Sequence, residues 1–247
     1  MGRKSVLVTG SSRGIGRAIA TQLAASGWRV AIHYSTRQDE ADDLAETLGK
    51  SVIGVFGGDL SKPETAKALW NEVQAVEPLT AVVNNAGVYL PHDLLTGSDE
   101  DFEENWSRTF SINFDSSLRL TRLAARQFAQ AGGGKILNVA SRVGFKGESG
   151  AALYAASKAA MISITRSLAI ELAPKNVQLF GIAPGWVNTA MSRDGMEQRL
   201  PAILETLPAG RMASPEDCAQ TADFLLSDGA TYLTGVVIDI NGASYFH

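Results

Sequence analysis

The 247-residue chain contains one cysteine, Cys218, and three histidines, His33, His92 and His247. One thiol excludes an internal disulfide and a cysteine-rich zinc site, and the histidines stand too far apart to form a ligand pair at turn or helix spacing. Cys218 lies in Pro215-Glu216-Asp217-Cys218-Ala219, an early helix turn that predicts a packing thiol rather than a reactive one. Long apolar runs are also missing, since none approaches the roughly 20 residues needed to cross a bilayer. The basic start Met1-Gly2-Arg3-Lys4-Ser5 leads into Val6-Leu7-Val8-Thr9 and is stopped by Gly10. That is too brief for a signal peptide, so the expectation is a soluble, cytoplasmic protein. Charge of one sign is scarce too. A net charge of -4, from 22 Lys+Arg against 26 Asp+Glu, with no basic stripe, predicts neither nucleic acid nor an anionic membrane as partner.

What the chain does have is alternation. Short apolar runs at 6–8, 30–32, 52–56, 81–83, 136–139, 177–182 and 236–240 are separated by helical patterns at 14–26, 38–48, 63–76, 101–130, 151–173 and 215–226. Seven strands and intervening helices predict βαβ units, a parallel sheet and one α/β domain spanning 1–247. Gly27 and Gly49 mark helix ends, whereas Ser61, Ser98 and Ser214 precede first turns bearing Glu, Asp or Pro. The stretch 186–208, with Gly195, Pro201 and Pro208, interrupts the alternation after a strand end, where doubly wound sheets bind ligands. A substrate lid is expected there.

The first strand enters Gly10-Ser11-Ser12-Arg13-Gly14-Ile15-Gly16 directly before a helix. A strand-to-helix turn rich in glycine aims unpaired N–H groups and the helix dipole at an anion, so it predicts a phosphate cradle. The second strand ends in His33-Tyr34-Ser35-Thr36-Arg37, without the carboxylate that would bind a ribose 2′-hydroxyl. Arg13 and Arg37 instead suit a 2′-phosphate, which selects NADP(H) over NAD(H). Asp59, ahead of Leu60, follows the third strand and is placed for the adenine end. Asn84-Asn85-Ala86-Gly87 follows the fourth, where it would either flank the nucleoside or serve as a structural turn.

Tyr154 and Lys158 are four residues apart in Tyr154-Ala155-Ala156-Ser157-Lys158, so a helix puts both on one face. Two unit charges about 4 Å apart interact by roughly 4 kcal/mol at an effective dielectric near 20. That is about three pKa units and would draw a phenol toward neutrality. The pair is therefore a candidate acid–base catalyst.

Together these residues resemble the short-chain dehydrogenase/reductase family over essentially the whole chain. The resemblance rests on Thr9-Gly10-x3-Gly14-x-Gly16, Asn84-Asn85-Ala86-Gly87, Ser141 thirteen residues before Tyr154, Tyr154-x3-Lys158, and Pro184-Gly185 with Thr189. It implies a Rossmann-like three-layer sandwich with a seven-stranded parallel sheet, and hydride exchange between a nicotinamide cofactor and a carbonyl or carbinol carbon. It also implies roles. Tyr154 would be the general acid in reduction, and Lys158 would lower its pKa and hold the nicotinamide ribose. Ser141 would bond the substrate oxygen, and Asn113 would anchor a water in the proton relay. The cofactor set implied is Gly10, Ser12, Arg13, Gly14, Ile15, Gly16, Tyr34, Ser35, Thr36, Arg37, Asp59, Leu60, Asn85, Ala86, Gly87, Tyr154, Lys158, Pro184, Gly185, Val187 and Thr189. A homotetramer is implied as well.

Within the family the chain is most similar to 3-oxoacyl-[acyl-carrier-protein] reductases, through Pro208-Ala209-Gly210-Arg211 and Tyr232-Leu233-Thr234-Gly235 leading to Asn241-Gly242. It departs from them before the tyrosine, where it carries Arg142, Lys146, Glu148 and Ala151. Of the basic carrier-docking positions it matches Lys175 but has none in 128–134. A carrier-bound 3-oxoacyl group and a free ketone both fit as substrate. The alternative is a catalytically silent NADP(H) sensor of the same fold.

Overall fold

The computed structural model describes residues 4–190 and 200–247. The basic start of the chain, and 191–199 within the expected lid, lie outside these residues. Seven strands form one all-parallel sheet: β1 (Ser5–Val8), β2 (Arg29–Tyr34), β3 (Val52–Gly57), β4 (Ala81–Asn84), β5 (Gly134–Val139), β6 (Val177–Pro184) and β7 (Val237–Ile240). Their order is β3-β2-β1-β4-β5-β6-β7, so the winding reverses between β1 and β4.

Side-chain alternation builds the three layers. Val6, Val8, Val30, Ile32, Val83 and Val139 point to one face, where α1 (Gly14–Ala25), α2 (Gln38–Leu48) and α8 (Pro215–Leu226) cover them. Their neighbours Leu7, Ala31, Val82 and Ile136 point to the other, under α3 (Thr65–Val76), α5 (Ser116–Ala131) and α6 (Ala152–Leu172). Strands buried on both faces read as unbroken apolar runs, which is why the sequence shows them so clearly. α3 shows the helical counterpart: Ala66, Leu69, Trp70 and Val73, spaced for one face, are all buried. Burying each large side chain contributes about 1.5–3 kcal/mol. Cys218 is fully buried in the first layer, and burial pushes its thiol up to about 12, as a packing role requires.

Two expectations need correction. The helix read across 101–130 is interrupted: α4 (Asp99–Phe110) passes into a π-helical turn, Ser111–Asp115, before α5 resumes. Ser61 does not cap the third helix. Asp59 Oδ1 takes its backbone N–H at 3.0 Å in a tight turn, and α3 starts only at Thr65, without a side-chain cap. Ser98 and Ser214 do cap. Ser98 accepts from the Asp101 N–H, and Ser214 forms a reciprocal capping box with Asp217, to which Arg211 adds an ion pair at 2.7 Å. Between these elements lie α7 (Leu200–Glu205) and short 3-10 turns.

Candidate active site

The carboxyl ends of β1, β4, β5 and β6 are adjacent in the sheet, so the segments that follow them converge on one edge. At the end of β1 the chain must turn sharply into α1. Gly10 adopts φ 62°, and a Cβ on Gly16 would lie 2.4 Å from both the Asn85 amide and the Gly10 carbonyl. No larger residue fits at Gly16, and this close packing leaves an N-terminal helix turn without an acidic side chain. A small-residue cradle at a helix N-terminus suits a diphosphate.

The loop is held by side chains on neighbouring strands. The Thr9 hydroxyl accepts N–H bonds from Asn85 and Ala86, both at 3.0 Å. The Asn85 amide donates to the Thr9 and Gly10 carbonyls at 2.8 and 3.1 Å, so it serves the turn rather than projecting toward a ligand. His33, fully enclosed at the end of β2, accepts the Gly10 N–H on Nδ1 at 3.0 Å, and its Nε2 lies 3.0 Å from the Gly58 carbonyl. That arrangement needs the neutral ring with its proton on Nε2. Burial accordingly lowers the His33 pKa to about 4, partly opposed by the Gly58 bond. The sequence assigns His33 no role beyond its lack of a ligand partner, because Gly10 becomes its neighbour only through the β1–β2 register.

The nucleotide positions are distributed as follows. Arg13, just before α1, and Ser35, Thr36 and Arg37, just beyond β2, are exposed, and Arg37 faces Glu40 at only 3.9 Å. Tyr34 is half-buried and packs over Gly57. Ser12 is buried and Ile15 packs partly against the core. Asp59 is exposed, and its bonds to Ser61 hold its carboxyl below the usual range. The Leu60 side chain is buried in the core, which leaves only its backbone for a ligand. Gly14 approaches Thr189, whose methyl would lie 3.5 Å from an added Cβ. Gly185 donates to the Ile240 carbonyl and Val187 is buried, so the turn after Pro184 is fixed to β7 and the core.

The catalytic candidates meet beside this cradle. Ser141 Oγ lies 3.4 Å from the Pro184 carbonyl and also accepts the Val143 N–H. Its hydroxyl lies near enough to the Tyr154 phenol to favour the charged form of that group, and the Tyr154 ring meets Tyr89 edge-on at 5.1 Å. Asn113, fully buried in the π turn, accepts the Val88 N–H at 2.8 Å and donates to the Val88 carbonyl and to Ser157 Oγ. Ser157 in turn donates to the Tyr154 carbonyl at 2.7 Å. Asn113 thus fixes the backbone of the tyrosine helix. Behind it, Asn84 donates to Asn138 and Thr121, and Asn138 to Thr165, a buried network across β4, β5 and α6 that no motif announced.

The expected tyrosine–lysine electrostatics is reversed. Lys158 Nζ stands 5.7 Å from the Tyr154 ring centroid and donates instead to the Val139 carbonyl at 2.8 Å. Desolvation dominates both groups. Burial pushes Tyr154 up to about 12 against the effect of the Ser141 hydroxyl, with the charges of Tyr89 and Glu148 adding to the rise. Burial alone brings Lys158 down to about 8. The helical spacing was read correctly. It did not reveal how deeply the ammonium sits or that a strand carbonyl would claim it.

Next to Ser141 the chain carries a charged wall. Arg142 is buried, donates to Ser244 Oγ at 2.9 Å and pairs with Glu148 at 3.3 Å, while its Nε has no hydrogen-bond partner among the described residues. The wall borders a cavity of about 270 Å³, completed by Lys146, Gly147, Trp186, Ala202, Ile203 and Thr206.

Residues 10–243 match the family model described as enoyl-(acyl carrier protein) reductase. The chain is 37% identical to the 3-oxoacyl-[acyl-carrier-protein] reductase FabG of Pseudomonas aeruginosa, over 98% of this chain and 97% of that relative. It is also 37% identical to nodulation protein G of a Rhizobium species, over 98% of this chain and 96% of that one. A crystal structure of a putative NAD(P)-dependent gluconate 5-dehydrogenase from Beutenbergia cavernae, with NADP bound at low occupancy, superposes with a TM-score of 0.90 at 34% identity. That match covers 98% of this chain and 96% of the other.

Proposed function

The chain belongs to the short-chain dehydrogenase/reductase family, and we propose on that premise that it reduces a ketone to a secondary alcohol with NADPH, Tyr154 serving as general acid. The observation that carries this reading is the nearness of the Ser141 hydroxyl to the Tyr154 phenol, set on the sheet edge shared by the glycine cradle. The cradle's helix N-terminus fits a diphosphate, and Arg13 and Arg37, with no carboxylate at the end of β2, fit a 2′-phosphate. NADPH supplies hydride chemistry when bound.

The chain's own residues supply the rest. Ser141 and Tyr154 point two hydroxyls at one place, so they stabilise negative charge developing on a carbonyl oxygen more than they stabilise the neutral ketone. The Tyr154 phenol is protonated at neutral pH and so has the proton a strongly basic alkoxide needs, while burial makes it a weaker acid than a free phenol. Lys158, near 8, can exchange a proton in the working range. Asn113 holds Tyr154 in place through Ser157. A 3-oxoacyl group on an acyl-carrier protein, which the FabG relatives' names state as their substrate, and a free ketone are both compatible with this machinery. We also propose a homotetramer, built through α4, α5, α6 and β7.

The test is Tyr154→Phe in an NADPH-oxidation assay with a panel of 3-oxoacyl thioesters, ketones and diketones. Turnover should fall by at least about a thousandfold, within the range general acid catalysis contributes. Parental turnover in the variant would remove Tyr154 from its role. In the same assay Arg37→Ala should raise the KM for NADPH and leave that for NADH nearly unchanged. Equal effects would sink the 2′-phosphate argument.

A further inference from the structure

Ser141 opens a short turn, Arg142–Gly144, that is held from two sides. On one side it is pressed against α6. A Cβ on Gly144 would lie 2.7 Å from Ile162 Cδ1 and 3.0 Å from the Ala159 nitrogen. Phe145, which closes the turn, packs against the cluster containing Met161 and Ile162, with the Arg166 guanidinium 5.5 Å from its ring centroid. On the other side lie residues 241–247, which follow β7 and take no part in the chemistry just described. Ser244 Oγ accepts from Arg142 at 2.9 Å, and the Tyr245 hydroxyl donates to the Phe145 carbonyl at 3.4 Å. The His247 ring stacks on Phe145, with 3.7 Å between centroids and 11° between planes. One short segment thus grips both ends of the turn.

The segment is itself anchored. Asn241 is buried and its amide donates to the Tyr245 carbonyl at 2.9 Å, while His247 Nδ1 lies 3.1 Å from Asp239 Oδ2 on β7. Asn241 also packs on Gly185, where an added Cβ would lie 3.0 Å from the Asn241 Cβ. It therefore backs the bend after Pro184, whose carbonyl lies 3.4 Å from Ser141 Oγ. Ser141 is in turn tied into its own turn: Oγ accepts the Val143 N–H, and its carbonyl accepts the Gly144 N–H at 3.0 Å. A turn that moved away from α6 would carry the Ser141 hydroxyl with it. A misplacement of about 1 Å at a reacting centre can cost on the order of a hundredfold in rate.

We infer that residues 241–247 form a positioning element of the active site, in which Tyr245 and His247 hold the Ser141 turn against α6 and so set where the Ser141 hydroxyl meets the substrate oxygen. Neither touches the reacting atoms; both act through Ser141. The effect on turnover rests on the reductase reading, whereas the effect on the turn stands independently of it.

His247→Ala removes the stack and Tyr245→Phe removes the hydroxyl bond. Together they should lower kcat at least about tenfold, the scale of one aromatic contact and one neutral hydrogen bond. The KM for NADPH should stay within about twofold of the parent's, since the glycine cradle follows β1. Restoring a ring, as His247→Phe in place of His247→Ala, should recover most of the loss. On the residual turnover of Ser141→Ala the paired substitutions should cost nothing more, because the positioned hydroxyl is gone. An equal loss in that background overturns the inference, as does a merely structural pattern in which Tm and NADPH affinity fall with kcat and the ring recovers nothing. Amide hydrogen exchange gives a readout without turnover: Val143 and Gly144 should exchange at least about tenfold faster in the paired variant, with α3 unchanged. Unchanged exchange at these two amides also overturns it. Faster exchange in a protein that reduces no ketone upholds the hold on the turn and counts against the reductase reading instead.

Discussion

His33 shows how one side chain can link the nucleotide loop to pH. Its folded pKa of about 4 lies below the ordinary 6.5, so the unfolded chain takes up the proton first as pH falls. The stability it contributes is complete above about 6.5 and is lost as pH drops from there toward 4, by about 3 kcal/mol at 1.36 kcal/mol per unit. Urea unfolding at pH 7 and pH 4.5 should show this loss, and His33→Phe should flatten the difference while lowering NADPH affinity. A ring that titrates near 6.5 by NMR would contradict it. Lys158 acts in the same sense in a more alkaline window. Its folded pKa is near 8 against 10.5, so stability falls as pH drops from 10.5 to 8 and stays reduced at neutrality. Lys158→Met should end turnover yet raise unfolding free energy at pH 7, on the order of 1–3 kcal/mol after the lost Val139 bond is counted. Loss of stability in this variant would show that the ammonium is better compensated than its surroundings indicate. Tyr154 and Lys158 were legible from their helical spacing, whereas Ser141 and Asn113 stood out only through the family resemblance. The direction of the pKa shifts was not legible, since it depends on enclosure by β5 and α6 that spacing does not encode.

Among the elements, helix ends were readable where a capping serine or a positive-φ glycine such as Gly49 marks them, and unreadable at the start of α3, where no side chain caps. Ser98 and Ser214 cap as their sequence contexts indicate. Ser61 does not, because Asp59 takes its N–H and a separate turn delays α3 to Thr65. Ser214→Ala should cost about 1 kcal/mol in chemical unfolding, whereas Ser61→Ala should cost a few tenths at most. Equal losses would mean that α3 relies on Ser61 after all. The strands were located to within two residues throughout, since an unbroken apolar run is the direct imprint of burial on both faces. The π turn escaped detection because nothing in Ser111-Ile112-Asn113-Phe114-Asp115 breaks a helix. Its cause is tertiary: the Asn113 amide is held by Val88 and Ser157.

For the molecule as a whole, the parallel sheet and its helical layers followed from alternation, and the convergence of four strand ends follows from the reversal between β1 and β4. The outer surface carries more information than the interior about assembly. On α4, Phe102, Trp106 and Phe110 form a ladder of ring contacts, with Trp106 45% exposed, while Ile170 on α6 is 80% exposed. Exposed apolar side chains of this kind are where the proposed assembly would make contact. Light scattering on a sizing column should give four chains per particle, and Trp106→Glu with Ile170→Glu should reduce that number. A parent protein that runs as one chain would remove the tetramer. The π turn described above has a further consequence for anyone editing this chain. Each residue of an α-helix advances the side-chain direction by about 100°, so the extra residue in Ser111–Asp115 sets α4 and α5 out of phase with one another. Deleting Ile112 would remove none of the candidate catalytic residues, yet it would regularise the helix and turn the preceding face by roughly a quarter turn relative to the following one. The aromatic ladder and the Asn113 amide could then no longer both face their present neighbours, and surface assembly and tyrosine placement would be lost in a single stroke.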